Sequence, residues 1–130
     1  MTLDFFFPIY VAFAVYIAWI WVDYFRLIDI YEQENLKHFL LIFLLGGLSV
    51  FITFGLASIT YEPFGISENG NPLNDLLFSI FCIGAIEEFS KLVPFLLILV
   101  FNRKLLNEPI DYVAFISVSA LGFSAAENVL

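Results

Sequence analysis

Apolar residues in this chain come in long unbroken runs, not in the alternation of a half-buried strand. From Phe5 to Val22 there is no charged residue, with Asp4 and Asp23 at the ends. A second run, Phe39 to Tyr61, lies between Lys37-His38 and Glu62. A third, Leu76 to Phe101, is interrupted by Glu87, Glu88 and Lys91, and a fourth, Tyr112 to Leu130, holds Glu127. A helix crossing a bilayer needs about 20 apolar residues. The pattern therefore predicts an all-α polytopic membrane protein with about four transmembrane helices, over 5–22, 39–61, 76–101 and 110–130. They form a single membrane-embedded domain over 1–130.

The connecting segments carry their own signals. Between the first two spans, Asp23 to His38 mixes apolar residues (Phe25, Leu27, Ile28, Tyr31) with charges, which predicts a short interfacial helix. Glu62 to Asp75 holds Pro63, Gly65, Asn69-Gly70 and Asn71-Pro72 and reads as a compact loop.

Composition narrows the class. Hydrophobic residues make up 62% and charged residues 14%, against roughly 45–50% and about 25% in soluble domains. Mean hydropathy is +0.95. A soluble domain of this size cannot cover so much apolar surface, and disorder is excluded on the same ground. The net charge of −8, with no basic stripe, argues against a nucleic-acid partner. One cysteine, Cys82, allows no disulfide scaffold and reads as a packing residue.

Four of the five basic residues lie in two connecting segments. Arg26 and Lys37 stand between spans one and two, and Arg103 and Lys104 between three and four. By the positive-inside rule the N-terminus and the second loop face outward. Trp19, Trp21 and Tyr24 read as an aromatic belt near the inner end of the first span. That span has no basic leader or small-residue cleavage site and reads as retained.

Glu87, Glu88 and Lys91 are the expensive residues. They fall about 17 Å below the outer end of the third span, near the middle of the hydrocarbon layer. Ionisable groups at that depth mark functional sites by default. Glu87 and Lys91 are i,i+4, and Glu88 and Lys91 are i,i+3, so Lys91 can neutralise either carboxylate. Adjacent glutamates diverge by about 100°, so one lines a cavity while the other orients it. Pro94 removes the hydrogen bond to the Ser90 carbonyl and predicts a kink. In the fourth span Ser117, Ala120, Ser124 and Glu127 share one face, with Gly122 and Ala126 beside it. Packed against Gly84, that small-residue face would bring Glu127 to the glutamate pair. Gly46-Gly47 reads as a close helix contact, and Ser124 as a packing residue.

These residues carry a resemblance. Gly84-Ala85-Ile86-Glu87-Glu88-Phe89-Ser90-Lys91, then Glu108-Pro109-Ile110-Asp111, then Leu121-Gly122-Phe123-Ser124-Ala125-Ala126-Glu127-Asn128, resemble the PrsW family. That family is related to the CAAX prenyl protease and abortive-infection superfamily. Its Glu-Glu-x-x-Lys motif looks like Glu87-Glu88-x-x-Lys91, and its Phe-x-x-x-Glu-Asn motif like Phe123-x-x-x-Glu127-Asn128. Upstream, Asp29-Ile30-Tyr31-Glu32-Gln33-Glu34 looks like the family's acidic, proline-bearing segment, with Gln33 and Asn35 in place of its prolines. The family continues through further helices with a histidine, whereas the one histidine here, His38, matches no motif. The sequence is therefore expected to be the N-terminal part of a longer domain.

The resemblance implies an intramembrane endopeptidase of a prokaryotic cytoplasmic membrane. Its substrate would be a membrane protein such as an anti-sigma factor. Catalysis would fall to Glu87, Glu88, Lys91, Glu127 and Asn128. A desolvated glutamate would activate water, and Asn128 would donate to the oxyanion. Three carboxylates and an amide also suit a hard divalent cation in the full-length protein, whereas no His or Cys is placed for zinc, and no other cofactor is evident. The alternative is a non-catalytic membrane protein or a proton or cation carrier using the same carboxylates.

Overall fold

A computed structural model describes residues 3–28, 34–61 and 67–130. Among them every regular element is helical. Helix α1 is Leu3–Ile28, α2 is Leu36–Leu48 and α3 is Val50–Thr60. Helix α4, Pro72–Phe78, passes through a π-helical stretch, Ser79–Gly84, into α5, Ala85–Phe101. Helix α6 is Pro109–Glu127, after a short 3-10 turn at Arg103–Leu105. Each predicted span is thus helical.

Three helical stretches are long and apolar enough to cross a membrane: Phe6–Ile28, Leu36–Thr60 and Pro109–Glu127. The second is α2 and α3 joined at Ser49, whose hydroxyl donates to the Gly46 carbonyl at 2.6 Å. The helical path from Pro72 to Phe101 differs in being assembled from three pieces and in carrying the charged triad.

A separate interfacial helix is not seen in the described part of 23–38. Residues 23–28 extend α1, ending in an Asp23–Arg26 ion pair at 3.5 Å, and α2 already begins at Leu36. The charged and apolar positions that follow the first apolar run simply prolong its helix. Asp29 to Gln33 lie outside the described residues. Asn35 caps α2 by accepting from the Lys37 N–H at 3.0 Å.

The outer loop closes on asparagine chemistry. Gly70 takes φ +80°, where a side chain is disfavoured. Asn69 accepts from the Asn71 N–H, Asn71 caps α4 through the Leu73 N–H, and Asp75 accepts from the Asn69 N–H. The inner turn is closed by a capping box. Glu108 is the N-cap of α6, and its N–H donates to the Asp111 carboxylate at 2.8 Å.

Helices α2 and α6 run parallel and share the largest contact in the bundle. Phe39 stacks on Phe115 at 5.2 Å, and Gly46 and Gly122 let the backbones touch. A Cβ on Gly46 would strike the Ser119 carbonyl, and one on Gly122 the Phe43 carbonyl. Helix α5 runs antiparallel to α6, with Phe95 against Tyr112 at 6.1 Å. The buried core draws on every span: Val22, Phe39, Ile42, Phe95, Ile98, Phe115 and Val118. It occupies the half of the bundle toward the C-terminal end of α1 and the start of α2. Helix α1 joins it through its second half, by Val22 and Phe25, while its first half exposes Phe6, Phe7, Tyr10, Phe13 and Tyr16. Lipid tails suit such a surface.

The small residues of α6 do not pack as expected. Gly122 and Ala126 face Gly47 of α2, while Ser117, Ala120 and Ser124 line a groove with Trp21 and Phe25 of α1. No atom of α6 lies within 4 Å of where a Gly84 Cβ would stand; its nearest neighbour is the Ser79 carbonyl in its own π-helical stretch. Helix α5 meets α6 one turn further in, through Lys91.

Candidate active site

The charged triad begins at the third residue after the π-helical stretch, where a wide turn hands over to regular α-helix. Single π turns recur at functional positions, because they rotate the residues that follow relative to an unbroken α-helix. Here the rotated residues are Glu87, Glu88 and Lys91.

Lys91 chooses between its two glutamates. Its Nζ lies 2.7 Å from the Glu88 carboxylate, within hydrogen-bond distance, and 4.0 Å from that of Glu87. The three side chains differ sharply in exposure: 18% for Lys91, 25% for Glu87 and 73% for Glu88. Glu88 thus points out of the bundle and is held by the ammonium. Glu87 is turned inward, and the charge of Glu127 acts on it together with those of Lys91 and Glu88. Glu127 closes α6 and Asn128 caps it, both exposed. The structure therefore brings Glu127 into the electrostatic field of Glu87, although not through the packing face read from the sequence.

Three features of the site escape spacing arguments. The Ser119 hydroxyl of α6, fully buried, donates to the Lys91 carbonyl at 2.6 Å. The proline expectation pointed to the Ser90 carbonyl; the outside donor instead meets the next carbonyl along, that of Lys91. Ser90 turns its own hydroxyl back to the Ile86 carbonyl at 2.9 Å. The buried ring of Phe123 lies under the Lys91 ammonium, 5.0 Å from Nζ. On α3, packed against α5, the Thr53 hydroxyl is buried with no hydrogen-bond partner among the described residues. Only Phe123 left a trace in the sequence, four residues before Glu127.

Other singled-out residues are structural. His38 pairs with Glu34 at 2.9 Å on the inner end of α2, away from the triad. Cys82 sits within the π-helical stretch. Glu108 and Asp111 form the capping box described above.

An apolar helical bundle with three stretches able to cross a membrane, and with paired carboxylates and a lysine on one helix, marks an integral membrane protein. The sequence profile of the PrsW family, described as intramembrane metalloproteases, matches residues 34–130. The chain belongs to that family. Neither a curated protein nor a solved structure matches it.

The family description implies a metal, so the donor set has to be tested. Among the described residues no three His, Cys, Asp or Glu side chains gather around one point. Glu88 is engaged by Lys91 and exposed on another side of the helix from Glu87. His38 is engaged elsewhere. An ammonium 4.0 Å from Glu87 also competes with any cation there. Glu87 and Glu127 supply at most two donors, and these residues alone do not fit a resident metal.

Proposed function

We propose that the chain hydrolyses a peptide bond of a membrane-protein substrate, with Glu87 as general base. The observation that carries the assignment is the split between the two glutamates. Glu88 is hydrogen-bonded to Lys91 at 2.7 Å, while Glu87 is held more loosely, in an ion pair at 4.0 Å, and feels the charge of Glu127. Glu87 takes a proton from water as its oxygen attacks the peptide carbonyl carbon. The side-chain amide of Asn128 donates to the developing oxyanion. The C–N bond then breaks, and the proton that Glu87 took from water passes to the departing amine, with Glu127 relaying it or completing the water site. Lys91 holds Glu88 in place.

The basic segments at one end of the bundle support a cytoplasmic-membrane orientation with the N-terminus outside. Glu127 then lies toward the outer half, which favours cleavage near the outer face. A membrane protein such as an anti-sigma factor is the substrate we propose.

The test is cleavage of a co-expressed single-pass membrane reporter, tagged on its outer side. Glu87→Gln should lower cleavage by about 100-fold or more, in the range of lost general-base catalysis. Glu127→Gln should impair it as well. Unchanged cleavage by Glu87→Gln would overturn the assignment.

A further inference from the structure

We propose that Phe123 is a positioning residue: its ring holds the Lys91 ammonium on Glu88 and so leaves Glu87 free to act on water. The clause about water rests on the protease reading above, while the placement of the ammonium stands on geometry alone.

A lysine three and four residues beyond two glutamates reaches both through ordinary rotamers. Charge by itself does not select between them. Selection needs a third contact, and α6 provides it. The Phe123 ring, 1% exposed, cannot turn away, and the ammonium lies 5.0 Å from its centroid. Within about 6 Å a ring face attracts a cation, more strongly where water is excluded. One turn earlier on the same helix, the Ser119 hydroxyl grips the Lys91 carbonyl at 2.6 Å. Helix α6 thus holds Lys91 at both its backbone and its head. With the carbonyl anchored and the ring below, Nζ reaches Glu88 at 2.7 Å and stops 4.0 Å short of Glu87.

Without the ring the ammonium is free to swing onto Glu87, the less exposed carboxylate. A carboxylate bonded to an ammonium is a poorer base, because its lone pairs are already engaged. Leucine fills much of the space of phenylalanine but has no ring face. Tyrosine keeps the ring. The two substitutions separate packing from cation binding.

The experiment uses the full chain in detergent micelles, with lysine carrying 13C at the ε position. Three signals arise, from Lys37, Lys91 and Lys104, and Lys91→Arg assigns one. The Lys91 ε-methylene should resonate upfield of the other two because of the ring current. Phe123→Leu should return it to their position, and Phe123→Tyr should keep it shifted. In the reporter assay Phe123→Leu should lower cleavage about tenfold, and Phe123→Tyr should restore it to within about twofold. An unshifted Lys91 signal in the native chain would overturn the proposal. So would native-rate cleavage by Phe123→Leu after its signal has collapsed, or equal losses in the Leu and Tyr variants. Intact cleavage by Glu87→Gln strikes the protease reading instead, and the lysine spectra still decide where the ammonium sits.

Discussion

The hydroxyl of Ser119 on α6 donates a 2.6 Å hydrogen bond to the backbone carbonyl of Lys91 on α5. It is a direct polar tie between the helix that carries the glutamate pair and the helix that carries Glu127. The Lys91 carbonyl lies one turn before Pro94, and the hydroxyl reaches it from outside the helix. The bond therefore couples the register of the two helices to the shape of the site.

Ser119→Ala should remove that tie while preserving the close contact with Gly46. An interhelical hydrogen bond in a membrane bundle contributes about 0.6–2 kcal/mol. The expected outcome is a loss of about 1 kcal/mol in stability, read from the midpoint of detergent-induced unfolding. Reporter cleavage should fall with it.

Gly46→Ala should destabilise more than its size implies. Its Cβ would meet the Ser119 carbonyl, which is backbone and cannot rotate aside. Forcing atoms into such a contact costs about 1–3 kcal/mol. Gly55→Ala is the control, because nothing lies within 4 Å of its added carbon. It should be neutral or gain up to about 1 kcal/mol of helix propensity. Melting temperatures of the two variants in the same detergent check the contrast.

Lys91→Met removes the only cation beside two carboxylates. Glu88 loses its 2.7 Å partner, and the charge of Glu127 on Glu87 is no longer offset. Truncating one partner of a buried or half-buried pair costs about 3–5 kcal/mol when the other stays charged; with Glu88 exposed, the loss should be smaller. Reporter cleavage should drop sharply, and the double variant Lys91→Met with Glu88→Leu should recover stability but not cleavage. A full recovery of cleavage in the double variant would show that neither residue serves the reaction.

Asp111→Ala should weaken the start of α6 without touching the triad. The Asp111 carboxylate accepts from the Glu108 N–H at 2.8 Å within the capping box. Loss of such a cap costs about 0.5–2 kcal/mol. Thermal unfolding should show that cost, while the Lys91 ε-methylene signal stays where it was.

Much of the fold was legible because its cause is local. An uninterrupted apolar run has few structures open to it in a bilayer besides a helix, since every backbone group must be satisfied within the segment. The third apolar run is helical despite Glu87, Glu88 and Lys91, although it is not among the three stretches long and apolar enough to cross a membrane. Its π-helical stretch was not, because Ser79 to Gly84 carries no proline or charge that marks a widened turn. The Asn69-Gly70-Asn71-Pro72 turn followed from its residue types, and Gly70 adopts the positive φ that such turns favour.

The site was legible in part. Helical spacing alone put Lys91 within reach of both glutamates. It also identified Gly46-Gly47 as a close contact. The assignment of α6's small residues to α5 failed, since Gly122 turned out to face Phe43 and Gly47. Periodicity says which residues share a face, not which neighbour that face meets. In lipid the difficulty is greater, because hydrocarbon tails are as apolar as leucine and no burial gradient points a face inward.

The amino-acid sequence by itself determined a helical membrane protein, four charged residues placed inside its spans, and a lysine able to serve either glutamate. Those are consequences of chain-local rules: hydropathy, helical pitch and the cost of an unpaired charge. The tertiary structure alone decided that Lys91 binds Glu88 and that Glu127 bears on Glu87. It also decided that Ser119 and Phe123 hold Lys91 from across the bundle. Those choices depend on the close parallel packing of α2 and α6 and on the antiparallel approach of α5. Distances of a few ångströms between helices select among rotamers that the sequence leaves equally open.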